Sequence, residues 1–78
     1  GLFTRAILNA GNPERILSDL KKMGITHILV SLPVFDNWVK GNCSPVKQKM
    51  LKKFFRECTI PVYYENGIGL NMLQTRNM

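Results

Sequence analysis

Few residues in this chain have chemistry to offer. His27 is the one histidine of 78 residues, and Cys43 and Cys58 are the two cysteines. As a general base, His27 would need a partner within hydrogen-bond reach and a cleft around it. Its neighbours Thr26 and Ile28 supply neither, so it reads as a strand-start histidine with one nitrogen hydrogen-bonded. Cys43 stands just ahead of an expected helix start, where the dipole can lower a thiol pKa. No histidine or acid is placed in sequence to complete a catalytic set with it. The two cysteines bracket that helix, whose rise of 1.5 Å per residue separates them by about 20 Å. A disulfide needs Cα atoms within about 7 Å, so both thiols are expected to be free. A tetrahedral zinc site is not expected from one histidine and two separated cysteines. No catalytic, cofactor-binding or metal-binding residue is assigned.

Three further patterns need weighing. Gly67-Ile68-Gly69 contains two glycines of a phosphate loop, but such loops join a strand to a helix N-terminus, and this one lies between two expected strands. Asn42-Cys43-Ser44 fits the N-glycosylation acceptor pattern, yet Ser44 already has a use as a helix cap. Lys49, Lys52, Lys53 and Arg56 project to one face of a helix. Phosphate contacts from such a face give non-specific, salt-sensitive affinity for nucleic acid. A single-strand binder also interleaves aromatics for base stacking, whereas Phe54 and Phe55 project to the opposite, buried side. The face therefore reads as solvated, or as a contact for a membrane surface or partner. Phe35, Trp38 and Val39 follow the second expected strand, at the carboxyl edge of the sheet, where open α/β folds place binding sites. Tryptophan is enriched at interfaces and at membrane boundaries. Phe35, Trp38, Lys49, Lys52, Lys53 and Arg56 form the candidate membrane or partner surface.

The elements that must position these residues are written in caps and periodicities. Asn12 followed by Pro13 is an N-cap with proline at the first helical position. Ile16, Leu17, Leu20 and Met23 fall on one helical stripe, and Gly24 supplies the left-handed residue beyond the helix end. Ser44-Pro45 repeats the cap signal, and Val46, Met50, Leu51, Phe54, Phe55 and Cys58 form the apolar face of a second helix. Lys47 projects beside that apolar stripe, near the helix start. Phe35, Trp38 and Val39 suggest a short helix within residues 34–41. Phe3 to Leu8 reads as a first strand. Ile28-Leu29-Val30, apolar without alternation, reads as a strand covered on both faces. Ile60 to Glu65 and Ile68 to Leu73 read as a hairpin through Asn66-Gly67, the strongest two-residue turn signal. Gln74 to Met78 reads as a tail.

The predicted order is β-α-β-(short helix)-α-β-β in one α/β domain, residues 1–78. The expected sheet is mixed, with about four strands, the first three parallel and the last antiparallel through the Asn-Gly hairpin. Crossovers should be right-handed. So short a chain buries about 60% of its unfolded surface. No apolar run approaches the roughly 20 residues of a membrane span. The net charge of +6 favours anionic partners. Five of the eleven basic residues lie between Lys47 and Arg56. The chain begins with Gly, which suggests a piece excised or processed from a larger protein.

The run Pro13 to Val30, with Leu20-Lys21-Lys22-Met23-Gly24-Ile25-Thr26-His27 at its centre, resembles a segment of bacterial polytopic glycosyltransferases. These are the membrane enzymes similar to protein O-mannosyltransferases and the lipid-A aminoarabinose transferase. Pro61 to Leu73 is similar to the closing hairpin of the soluble domain that follows their last membrane helix, and Trp38 also fits. The likeness covers roughly residues 13 to 74, and its motifs are structural. It implies a C-terminal accessory domain, non-catalytic by itself, of a transferase that uses polyprenyl-phosphate sugars. Its implied place is the non-cytoplasmic (periplasmic or extracellular) side of a bacterial inner membrane, against the membrane-embedded part of its parent and an anionic lipid surface. A basic excess usually marks cytoplasmic segments, but folded domains translocate largely regardless of charge. The family's catalytic acid lies in a loop between early membrane helices, and no position here matches it. The alternative is a free-standing basic binding module for nucleic acid or an acidic protein.

Overall fold

A computed structural model describes residues 1–75. The element order is α1 (Leu2–Asn9), α2 (Pro13–Lys22), β1 (His27–Ser31), α3 (Leu32–Asn42), α4 (Pro45–Cys58), β2 (Thr59–Glu65) and β3 (Ile68–Leu73). The three strands form one sheet in the order β1-β3-β2, and both pairings are antiparallel. The expected sheet of about four strands, three of them parallel, is therefore corrected on two counts.

The first correction lies in α1, expected as a strand. Phe3, Ala6, Ile7 and the C-cap Ala10 fall at the i, i+3, i+4, i+7 spacing of a helical stripe. Ala6, Ile7 and Ala10 are buried, whereas Leu8, the residue that made the segment resemble a strand, is exposed. Thr4 Oγ1 donates to the Gly1 carbonyl at 2.9 Å and closes the first turn. The second correction is β3, which returns from the hairpin between β1 and β2 and pairs with both. The first and second strands thus run the same way without touching.

The capped helices follow their signals. Asn12 Oδ1 accepts from the Arg15 amide at 2.8 Å, and Ser44 Oγ accepts from the Lys47 amide at 3.1 Å. Gly24 has φ +80° just beyond α2. In the hairpin, Asn66 has φ 52° and Gly67 φ 80°, the two positive values that a type I′ turn requires. Val62 is skipped in the β2–β3 register between Pro61 and Tyr63. This irregularity adjoins a proline, which has no amide to donate to a ladder. α3 is longer than expected. It starts immediately after β1, with Pro33 in its first turn, and the Leu32 amide donates to the Gly67 carbonyl of the hairpin turn at 2.7 Å.

α2 packs on α1 and α4, α4 on β2, and α3 on β1. Ile7, Ile16, Leu20, Phe54 and Leu73 are the fully buried large side chains between helices and sheet. Met23 and Val46, placed on buried stripes by spacing alone, are 45% and 79% exposed; Met23 is the C-cap of α2 and Val46 lies in the first turn of α4.

Candidate functional site

The helices cover only one face of the sheet. Ile28 and Val30 of β1 are buried while His27, Leu29 and Ser31 are exposed. Alternation therefore replaces the two-sided burial expected of this strand. Directly paired residues share a face, so the register sorts the outer face into three rows across the sheet. They are His27, Met72 and Ile60; then Leu29, Leu70 and Tyr63; then Ser31, Ile68 and Glu65. Leu29 is 71% exposed and Tyr63 59%, and Ile60 and Ile68 are also exposed. Contiguous exposed apolar patches of this kind are uncommon on monomeric soluble proteins. Reading the residues missed this face. Its signal is the apolar period of two in Ile68, Leu70 and Met72, continued across the sheet by Leu29.

The aromatic part of the candidate surface is partly turned inward. Phe35 and Trp38 are half-buried and stacked, with ring centroids 6.1 Å apart. Phe35 also stacks on Phe3 at 5.6 Å and meets Phe55 edge-on at 5.9 Å. No residue of α3 is fully buried, so this aromatic column is what seats the helix on the domain.

Grooves run along both sides of α3. One, of about 480 Å³, lies between α3 and α4, and Phe35 and Lys52 line it together. The other, of about 360 Å³, lies between the start of α1, β1 and α3, and Trp38 lines it with Leu2, Leu29 and Val34. The fold thus brings Phe35, which lines both grooves, to Lys52 on one side, while Trp38 lines only the other groove. Lys49, Lys53 and Arg56 are exposed on α4 and line neither groove. Arg56 faces its neighbour Glu57 at 3.5 Å. The basic face belongs to the helical layer, away from the uncovered side of the sheet.

His27 is exposed at the edge of the outer face, with Nδ1 2.9 Å from Thr26 Oγ1. Cys43 and Cys58 are both buried and free. Burial pushes the Cys58 thiol up, and the charges of Glu14 and Glu57 push the same way against Lys21 and Lys53. That is the reverse of an activated thiolate. Gly67-Ile68-Gly69 is the end of the hairpin turn and the start of β3, so no helix N-terminus follows it. Asn42 donates its side-chain amide to the Trp38 carbonyl at 2.9 Å. Among the described residues no group of histidine, cysteine and carboxylate side chains is arranged to hold a metal ion, and no helix is long and apolar enough to cross a membrane.

No family model, curated protein or solved structure matches this chain.

Proposed function

We propose that this chain is a non-catalytic accessory domain that docks through the uncovered face of its sheet. In the reading that its residues 13 to 74 suggest by resemblance, the parent is a membrane glycosyltransferase that uses polyprenyl-phosphate sugars. The domain then stands on the non-cytoplasmic side against the membrane-embedded body. The observation that carries the docking role is the row Leu29, Leu70 and Tyr63, with Ile60, Met72 and Ile68 around it. Such a face is covered in a larger assembly, because contiguous exposed apolar surface is costly in water.

The test places a photo-crosslinking side chain at Tyr63 in the native-length protein within its membrane. Capture of the membrane-embedded portion, lost on Leu29→Lys, is the expected result. Capture of nothing, together with a reading frame that encodes no membrane spans, overturns the reading. In the isolated chain, Leu29→Lys should change stability by no more than about 0.5 kcal/mol, as at any exposed site.

One observation favours the alternative of a basic binding module: Lys49, Lys52 and Lys53 are exposed and, among the described residues, none makes an ion pair. Tight, salt-sensitive binding of a single-stranded oligonucleotide, lost on Lys52→Glu with Lys53→Glu, would select that module over the docking domain.

A further inference from the structure

The groove between α3 and α4 has walls and a lip of different character. Leu32, Phe35 and Val39 form one wall, and Leu51 and Phe55 the other. Its volume of about 480 Å³ falls in the range of small-molecule sites, which are mostly apolar with a few polar groups that fix orientation. The polar groups at this groove are Asp36, Gln48 and Lys52. Asp36 is already neutralised, its carboxylate 2.9 Å from Lys40 Nζ one helical turn away. Gln48 spends its amide N–H on the Cys43 carbonyl at 3.0 Å. Lys52 is left as a cation that no carboxylate among the described residues meets.

We infer that this groove binds a single-chain amphiphile with a monoanionic head, of the fatty-acid carboxylate type. The chain lies between the two helices on Phe35, Val39, Leu51 and Phe55, and the carboxylate meets Lys52 at the lip. Charge complementarity selects this class. Lys52 is the one cation that lines the groove, Lys49 and Lys53 being exposed on α4 outside it, and it matches one negative charge, whereas a phosphate monoester carries about −1.5 to −2 at neutral pH. The site goes beyond the docking face and shares none of its residues, so either can fail without the other.

Trp38 is the one tryptophan of the chain. It stacks on Phe35 from the far side, so its fluorescence reports on the groove without lying in it. The experiment titrates the 78-residue chain with decanoate, decanol and decyl phosphate below their micelle-forming concentrations, with amide chemical shifts followed in parallel. Decanoate should bind saturably, shift Leu32 to Val39 and Gln48 to Phe55, and bind better than decyl phosphate. Lys52→Met, at an exposed position, should lower decanoate affinity by about fivefold, the upper end for an exposed ion pair, and leave decanol unchanged. Non-saturable binding, an unchanged Lys52→Met, or a preference for decyl phosphate overturns the inference. Shifts confined to Leu29, Tyr63 and Leu70 would also overturn it and would leave the docking face standing.

Discussion

Lys47 Nζ, in the first turn of α4, donates to the Ala10 carbonyl at 2.6 Å, 37 positions earlier in the chain. It also donates to the Ile7 carbonyl at 2.9 Å. A helix leaves its last carbonyls without intrahelical partners, and α1 has no basic residue in its own last turn. A lysine from another helix supplies both the hydrogen bonds and the charge that a helix C-terminus favours.

Lys47→Met should therefore be costly for a substitution on a half-exposed side chain. Hydrogen bonds to charged groups contribute roughly 1.5–3 kcal/mol, and the loss should appear as a fall of that order in urea-unfolding free energy. Lys49→Met, exposed on the far side of α4 from Lys47, should change stability by less than about 0.5 kcal/mol. Equal effects of the two substitutions would show that the α1 cap is energetically idle.

Phe35 touches Phe3, Trp38 and Phe55, and α3 has no buried aliphatic residue to replace those contacts. Phe35 is half-buried, so Phe35→Ala should cost less than the roughly 3–5 kcal/mol of a fully buried phenylalanine, with its aromatic pairs contributing about 0.5–1.5 kcal/mol of the loss. Hydrogen exchange should locate the effect. Amides of residues 36–42 should lose protection more than those of α2 and α4. Uniform loss across the chain would mean that α3 opens only with the whole domain.

Cys58 predicts a pH dependence. Its folded pKa is raised above the ordinary value of 9.0, first by burial and then by Glu14 and Glu57. The protonated thiol favours the fold. Its contribution is complete below 9.0 and is lost as pH rises through the folded value, because the unfolded chain releases the proton first. The stability difference between the parent chain and Cys58→Ala should narrow between pH 8 and pH 11, as read by urea unfolding. A constant difference over that window would show that the thiol titrates alike in both states. Alkylation in denaturant without reductant should modify both cysteines, since both are free in the fold.

Local signals were legible wherever a short segment carries its own physics. Asn12-Pro13, Gly24, Ser44-Pro45 and Asn66-Gly67 each specify a cap or turn through a side-chain oxygen, a fixed φ or a positive φ, and each sits where its chemistry put it. α1 was misread because Phe3, Ala6, Ile7 and Leu8 are a short apolar run, for which strand and helix periods are easily confused. Ala10 decides between them, and it lies beyond the apparent strand. For the candidate surface, only the exposure of its basic part was legible, since Lys49, Lys52 and Lys53 are exposed as their projection required, whereas Phe35 and Trp38 are half-buried. Its geometry was not. Trp38 and Lys52 line different grooves because α3 runs between them.

What the amino-acid sequence determined by itself is the capped starts of α2 and α4, the hairpin, the free thiols and the basic face of α4. These depend on neighbours within a few residues. Strand pairing was decided only in three dimensions. Ile28-Leu29-Val30 is compatible with a strand buried on both faces or on one, and nothing within it says how many layers of helix there are to cover it. β3 enters between β1 and β2, α3 and α4 pack on the sheet with Ile28 and Val30 turned inward, and Leu29 is left 71% exposed. Sheet order and the number of layers are properties of how the whole chain buries its apolar surface, so the uncovered apolar face of the sheet exists only in the folded chain.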